Sequence, residues 1–139
     1  MDPLIAASRV AQSGMFAQSE RLRVVAENMA NANSTARVPG GDPYARKTVT
    51  FRSEFNDLIG QDVVQISSID RDRAPFRVER EPGHPAADEQ GFVKYPNVEP
   101  LVELADMREA NRSYLANLQM VKSAREAVSL LLDVLKGTS

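Results

Sequence analysis

The one histidine of the chain, His84, is followed within five residues by two carboxylates, Asp88 and Glu89. Imidazole and carboxylate groups bind zinc and act as general bases, so these three side chains are the candidates for hydrolytic chemistry. A catalytic zinc site needs three protein ligands held by a framework, whereas His84 lies in the turn-forming sequence Pro82-Gly83-His84-Pro85. A small metal-dependent hydrolase is therefore the unfavoured alternative, and we predict no enzyme activity, no metal and no cofactor.

Other patterns associated with catalysis or nucleic-acid binding are weak. The chain has no cysteine, which excludes disulfides, thiolate catalysis and cysteine-ligated metals. The pair Gly40-Gly41 is followed by neither the lysine nor the helix of a phosphate-binding loop. The formal net charge is −2, and Arg46, Lys47 and Arg52 are too few to form a basic nucleic-acid surface. These exclusions leave association as the expected class of function.

Two apolar series with a seven-residue repeat, one near each end of the chain, supply the framework. Both step by alternating four and three residues, the period at which one helix packs along another in a coiled coil. The N-terminal series is Leu4, Ser8, Ala11, Met15, Gln18, Leu22, Val25, Met29 and Ala32. The C-terminal series is Leu104, Met107, Asn111, Tyr114, Leu118, Val121, Arg125, Val128, Leu132 and Leu135. We predict a long helix at each end and assign the apolar members of both series to an assembly interface.

Polar side chains in or beside these series belong to the same predicted interface. Asn111 and Arg125 occupy repeat positions, where a polar residue fixes register and partner choice; the alternative is that the helix is simply exposed there. Asn28, Asn31 and Asn33 close the first helix, and asparagine is a poor helix former that bonds well to exposed backbone groups. The three asparagines predict a contact surface in addition to capping.

Capping residues and helix breakers set the boundaries. Asp2 is an N-cap followed by proline at the first helical position, which predicts a helix over residues 3–32. The second helix should begin between Asn97 and Pro100, with Asn97 or Glu99 as cap, and end at Lys136-Gly137. Alternation of apolar and polar residues predicts strands at 47–51, 63–69, 76–81 and 91–95, and a short helical turn is the expectation at 53–59.

The predicted fold is mainly α with a small β-rich insert: two long terminal helices form a coiled-coil-like pair and flank a short β region. Its segments are an N-terminal helix at 1–35, a β-rich middle at 36–96 and a C-terminal helix at 97–139. The two predicted helices are about 45 and 55 Å long, whereas a compact chain of this length would have a diameter of about 37 Å. We therefore do not expect a compact globule. No apolar run suits a membrane span, and the start lacks the features of a secretory signal, so we expect neither membrane insertion nor signal cleavage.

A family resemblance adds to these patterns. The segment Glu27-Asn28-Met29-Ala30-Asn31-Ala32-Asn33-Ser34-Thr35 resembles the asparagine-rich signature that ends the N-terminal helix of flagellar axial proteins, the rod and hook subunits of the bacterial flagellum. Residues 39–47, 81–93 and 95–98 resemble the short proximal-rod members of that family, and residues 106–117 are similar to the start of its C-terminal helix.

The resemblance implies a structural subunit of the basal-body proximal rod, which assembles through both terminal helices into a helical tube and transmits motor torque toward the hook. The implied partners are other rod and basal-body subunits, copies of the chain itself and the flagellar type III export apparatus, with no nucleic acid. It also implies export without a cleaved signal peptide and a location that spans the periplasm. Another rod or hook component is the alternative within the family.

Overall fold

The structure, a computed structural model, describes residues 2–137, so the parts of the predicted terminal segments at Met1, Thr138 and Ser139 lie outside the described residues. Helix α1 is Pro3–Ala30. Oδ1 of Asp2 accepts a hydrogen bond of 2.7 Å from the N–H of Leu4, which satisfies one of the unpaired donors of the first turn. The predicted N-cap is therefore confirmed.

Side chains of the asparagine-rich segment end α1 close to the predicted boundary. Nδ2 of Asn31 donates to the carbonyl oxygen of Glu27 at 2.9 Å, and Oγ of Ser34 donates to Oδ1 of Asn31 at 3.0 Å. The N–H of Ser34 also donates to the carbonyl oxygen of Asn31 at 3.1 Å, a turn bond three residues apart, and the chain turns at residues 31–33.

The C-terminal helix, α2, is Pro100–Gly137. Glu99 precedes it, and the Glu99 carbonyl oxygen accepts the first helical hydrogen bond at 3.1 Å. The alternative cap, Asn97, is wrong because its amide is occupied elsewhere. Oδ1 of Asn97 accepts the N–H of Arg46 at 2.7 Å, and its Nδ2 donates to the carbonyl oxygens of residues 72 and 74.

Four strands lie between the helices and form two separate two-stranded sheets. Strands β1 (Lys47–Asn56) and β2 (Gln61–Arg71) form the first sheet. Strands β3 (Arg77–Arg80) and β4 (Phe92–Tyr95) form the second, which is antiparallel, with Arg77 opposite Tyr95 and Arg80 opposite Phe92. The four predicted strand positions and the fold class are therefore confirmed.

The expected helical turn at 53–59 is wrong. Strand β1 continues to Asn56, and residues 57–60 form the turn into β2. Oδ1 of Asn56 accepts the N–H groups of Leu58 and Ile59 at 3.0 and 3.2 Å, and Gly60 has φ +71°, a conformation that glycine adopts without strain. A side-chain-stabilised hairpin turn thus replaces the helical one.

The chain divides into two compact units. Unit 1 contains the described residues up to Arg21, Thr50–Ser68 and the described residues from Glu109 onward; its buried apolar residues are Ala6, Ala11, Ala17, Val63, Ala110, Val121 and Ala124. Unit 2 contains Leu22–Val49 and Ile69–Arg108, and its buried residues include Val24, Val25, Val93, Val98 and the polar side chains Asn28 and Glu103. Each unit contains part of α1 and part of α2. The three segments predicted from the sequence divide the chain in a different way, and that division stays a prediction.

Helices α1 and α2 pair with each other within one molecule. In unit 1, Nη2 of Arg21 lies 3.3 Å from Oε2 of Glu109. Asn117 packs directly against Gly14, because a Cβ atom added to Gly14 would lie 2.7 Å from its Nδ2. Position 14 thus meets 117 while 21 meets 109, so the helices run antiparallel.

Two small residues outside the predicted series, Ala17 and Ala110, are the most buried apolar residues of the helix pair in unit 1. Ala17 and Ala110 are fully buried, and Ala124 is nearly so. The repeat prediction favoured large side chains, but small ones allow two helix backbones to approach closely. The buried positions of α2 therefore include Ala110 and Ala124, and the neighbouring predicted positions Asn111 and Arg125 are exposed.

Candidate assembly interface

A network of charged and polar side chains, which we call the Arg46 network, holds the end of α1 and the start of α2 within unit 2. Nε of Arg46 donates to Oε1 of Glu103 in a short ion pair, and its Nη1 and Nη2 atoms each lie 3.2 Å from a carboxylate oxygen of Asp72 and Asp106 respectively. Glu103 is 0% exposed. A buried carboxylate of this kind requires a paired cation, because its desolvation would otherwise oppose folding.

Asn28 is the second centre of the network, and all four of its hydrogen-bonding positions are used. Its Nδ2 donates to the carbonyl oxygen of Lys47 at 2.8 Å and to Oε2 of Glu103 at 3.3 Å. Its Oδ1 accepts the backbone N–H of Lys47 at 2.9 Å and the hydroxyl of Tyr44 at 2.7 Å. The amide therefore joins α1, the first residue of β1 and α2 at one point.

The network also sets the ionisation of two of its members. Burial opposes the charged form of Arg46, but the hydrogen bond and charge of Glu103, followed by those of Asp72, outweigh it and raise the pKa of the guanidinium. Burial, and then the negative charges of Glu27 and Glu103, raise the pKa of Tyr44 to about 12. The Tyr44 hydroxyl thus stays protonated and can donate to Asn28.

The basic residues considered for nucleic-acid binding have carboxylate partners in their own chain. Arg46 belongs to the network, Nζ of Lys47 lies 2.6 Å from Oε1 of Glu27, and Nη2 of Arg52 lies 2.9 Å from Oε2 of Glu54. Their charges are therefore largely compensated.

Of the three candidate hydrolytic residues, His84 and Asp88 stabilise a turn through hydrogen bonds to the backbone. Nδ1 of His84 accepts the N–H of Ala86 at 3.0 Å, and Oδ1 of Asp88 accepts the N–H groups of Gln90 and Phe92 at 2.9 Å each. Glu89 is exposed. Within residues 2–137, no three histidine, cysteine, aspartate or glutamate side chains are grouped as metal ligands. The local bonds of His84 and Asp88 suffice to explain their positions before β4.

The predicted interface residues fall into three groups by exposure. Those buried inside the chain are Ala11, Val25, Asn28 and Val121. Those half-buried are Leu4, Met15, Leu22, Asn31, Met107, Tyr114, Leu118 and Val128. Those exposed are Met29, Asn33, Leu104, Asn111, Arg125, Leu132 and Leu135. The buried group packs inside the chain, whereas the exposed group remains on its surface.

Further apolar side chains lie on the surface of unit 1 and were not among the predicted positions. They include Phe16, Leu115, Met120, Leu130, Leu131 and Val134. Exposed aliphatic and aromatic residues grouped on helices mark protein-interaction surfaces in soluble proteins. Neither α1 nor the described part of α2 contains a stretch that is long and apolar enough to cross a membrane.

The Arg46 network was missed at the sequence level, although one signal for it was present. Glu103 lies seven residues before Ala110, which is itself seven residues before Asn117, so all three occupy one side of α2. A carboxylate in line with a small apolar residue such as Ala110 on a packed helix face indicates a buried ion pair, but it does not identify the cation.

Comparison with known proteins places the chain in a family. A family model described as "Flagella basal body rod protein" matches residues 9–37, which include the asparagine-rich end of α1. A second, described as "Flagellar basal body rod FlgEFG protein C-terminal", matches residues 89–133. The paired terminal helices and these matches define a class of protein, the structural subunits of the flagellar rod.

Curated relatives make the assignment more specific. A protein of Agrobacterium fabrum named "Flagellar basal-body rod protein FlgC" is 54% identical over 138 residues, which cover 99% of this chain and 99% of the relative. Proteins of the same name are 33% identical in Borreliella burgdorferi, over 96% of this chain and 99% of the relative, and 38% identical in Salmonella typhimurium, over 84% and 86%. The chain belongs to the family of flagellar basal-body rod protein FlgC.

Proposed function

We propose that this rod subunit belongs to the proximal rod and assembles, through the outward surfaces of its two terminal helices, with other rod and basal-body subunits and with copies of itself. The resulting helical tube transmits motor torque toward the hook. The observation that carries the proposal is the exposed apolar surface of α2, including Leu131 and Leu132, beside helices that already pair within the chain. Contact between neighbouring subunits would remove this surface from water, which favours assembly.

Two substitutions at one exposed position test this proposal. Leu131 is 54% exposed, so Leu131→Asp should leave the monomer folded while placing a charge in the subunit contact. We expect Leu131→Asp cells to lose basal-body incorporation and swimming, and we expect Leu131→Met cells to keep both. Circular dichroism of the purified chains controls for folding. Normal incorporation of a folded Leu131→Asp chain would contradict assembly through α2.

We further propose that the chain is exported by the flagellar type III apparatus without signal cleavage and that the rod it builds spans the periplasm without direct membrane insertion. The support is the resemblance of both helix signatures to flagellar axial proteins. Mass spectrometry of the protein from isolated basal bodies provides the test. We expect an N-terminal peptide that contains Pro3 and Leu4; a start many residues later would contradict uncleaved export.

The proposal includes no catalytic activity and no nucleic-acid partner. His84 and Asp88 stabilise the turn before β4 through backbone hydrogen bonds, and this role explains both residues without a reaction. We expect His84→Ala cells to swim normally and the purified chain to contain no stoichiometric metal. A bound ion that is lost in His84→Ala would favour the hydrolase alternative.

A further inference from the structure

The last part of α2 extends beyond its partner helix. Extending the contacts of Gly14 with Asn117 and of Arg21 with Glu109 along the antiparallel pair places Pro3 opposite residues 127–128. Residues 129–137, which we call the α2 overhang, therefore have no facing helix in unit 1, and every one of them is exposed. Nine helical residues span about 13 Å.

The overhang is apolar to a degree that is unusual for an exposed helix. Leu130, Leu131, Leu132 and Val134 are 65%, 54%, 51% and 63% exposed. Leu130, Asp133 and Val134 are spaced i, i+3 and i+4, so they share one face of the helix. That face presents two aliphatic side chains and one carboxylate, and Asp133 has no ion-pair partner among the described residues.

A groove with the complementary chemistry lies on unit 1. It has a volume of about 420 Å³ and runs between the first turns of α1 and residues 124–128 of α2. Leu4, Ile5 and Val128 contribute apolar surface, and Arg9 and Arg125 contribute positive charge. Neither arginine has an ion-pair partner within residues 2–137.

The overhang cannot occupy the groove of its own molecule. Helix α2 is continuous over Pro100–Gly137, so the overhang leads away from residues 124–128, and folding it back would break backbone hydrogen bonds of the helix. The overhang of a second copy is not covalently joined to this groove and can therefore reach it. The groove offers that overhang two cations without ion-pair partners. Charge complementarity and the shared apolar character thus favour a copy of this chain as the occupant.

We propose that the α2 overhang of one copy docks in the groove of a neighbouring copy, with Asp133 beside Arg9 and Arg125 and with Leu130 and Val134 against Leu4 and Ile5. The inference rests on the proposed rod function and specifies one of its subunit contacts. Each copy offers one overhang and one groove, so the contact is heterologous and leads from one copy to the next. The docked copies are offset along the helices by roughly the overhang length, about 13 Å.

Disulfide cross-linking in assembled basal bodies tests the contact, because the chain has no cysteine of its own. Cells would co-express a Ser8→Cys chain, altered in the groove, and a Val134→Cys chain, altered in the overhang. After isolation and oxidation of basal bodies, we expect a cross-linked dimer of this chain. The matched control replaces Ser8→Cys by Ser19→Cys, since Ser19 is exposed on α1 outside the groove, and should give no dimer.

Charge reversal adds a readout that simple proximity would not change. We expect Arg9→Glu with Arg125→Glu to lower the cross-link yield about two- to fivefold, the range for exposed ion pairs, and we expect added Asp133→Lys to restore it. The same reversals should weaken and restore self-association of the purified full-length chain, measured by sedimentation. This second measurement keeps the proposal testable if a cysteine variant does not assemble.

Two results would overturn the inference while the proposed function stands. The first is normal incorporation of both cysteine variants without a Ser8→Cys to Val134→Cys dimer. The second is a disulfide from Val134→Cys to a different rod subunit that carries an introduced cysteine, which would make that subunit the occupant. Normal incorporation of a folded Leu131→Asp chain would instead count against assembly through α2 as a whole.

Discussion

Nδ2 of Asn28 lies 3.3 Å from Oε2 of Glu103, and the two side chains are among the most deeply buried of the chain. The contact joins the end of α1 to the start of α2 across 75 positions of sequence. Arg46 supplies the positive charge that makes a buried Glu103 tolerable. Because this set is satisfied in one helix register only, we infer that it fixes how the terminal helices pair.

Removal of the Glu103 carboxylate should destabilise the chain strongly. We expect Glu103→Ala to lower the free energy of unfolding by about 3 kcal/mol, at the low end for broken buried ion pairs, because Arg46 keeps Asp72 and Asp106 as partners. The control is Glu109→Ala, whose exposed pair with Arg21 should contribute less than about 1 kcal/mol. Urea unfolding measures both, and equal effects would contradict a special role for Glu103.

The asparagines that close α1 should differ sharply in their effects. Asn28→Ala removes the hydrogen bonds of Asn28 to the Lys47 backbone, the Tyr44 hydroxyl and Oε2 of Glu103, so we expect a loss of roughly 2–3 kcal/mol in unfolding free energy. Asn33 is exposed, and Asn33→Ala should change stability by less than about 0.5 kcal/mol. Similar losses for both variants in chemical denaturation would contradict a stabilising role of the bonds that Asn28 makes in the Arg46 network.

Close packing of Gly14 against Asn117 should appear as coupling between the two positions. Alanine is a better helix former than glycine by about 1 kcal/mol, but a Cβ at position 14 would meet Asn117 Nδ2 at 2.7 Å and displace its bond to the Ser113 carbonyl oxygen. We therefore expect Gly14→Ala to stabilise the chain by about 1 kcal/mol when Asn117 is replaced by alanine. When Asn117 is present, we expect Gly14→Ala to give no such gain. A double-mutant cycle measures the coupling, and strict additivity would contradict the close approach.

Tyr44 should make stability fall at alkaline pH. Its pKa is raised from 10.0 to about 12 in the folded chain, so the neutral form is favoured by folding. The contribution is complete below about pH 10 and is lost as the pH rises toward 12. We expect Tyr44→Phe to show a smaller alkaline loss in unfolding free energy.

Tyr95 requires a matched background for that measurement. Its hydrogen bond to Glu81, followed by burial, also raises its pKa. The contribution of Tyr95 to the free energy of unfolding would therefore also fall as the pH rises. We therefore propose the comparison between Tyr95→Phe and the Tyr44→Phe, Tyr95→Phe double variant. Identical alkaline slopes in these two chains would show that the Tyr44 hydroxyl is not held in its protonated form by the fold.

Much of the architecture followed from local sequence patterns. Asp2-Pro3, the breaker-rich segment after α1 and the alternating strands near Lys47, Val63 and Phe92 specify elements through interactions between residues that are neighbours in sequence. The asparagine-rich signature likewise identified the flagellar axial family, which the two family models and the curated relatives confirm. Such signals act over a few residues, so they can be read without knowledge of the fold.

The choice of buried helix face and the Arg46 network depended on tertiary structure. Repeat positions were selected by side-chain hydrophobicity, whereas burial also depends on how closely two backbones approach, and small residues such as Ala17 and Ala110 permit the closest approach. Arg46 and Glu103 lie 57 positions apart, so their pairing exists only after helix register and loop path are set. The sequence by itself determined the two helices, the positions of the four strands and the family, although the end of β1 was predicted to be a helical turn. Three-dimensional packing decided which side chains are buried inside the chain and which remain on its surface, because burial is a property of distant segments brought together.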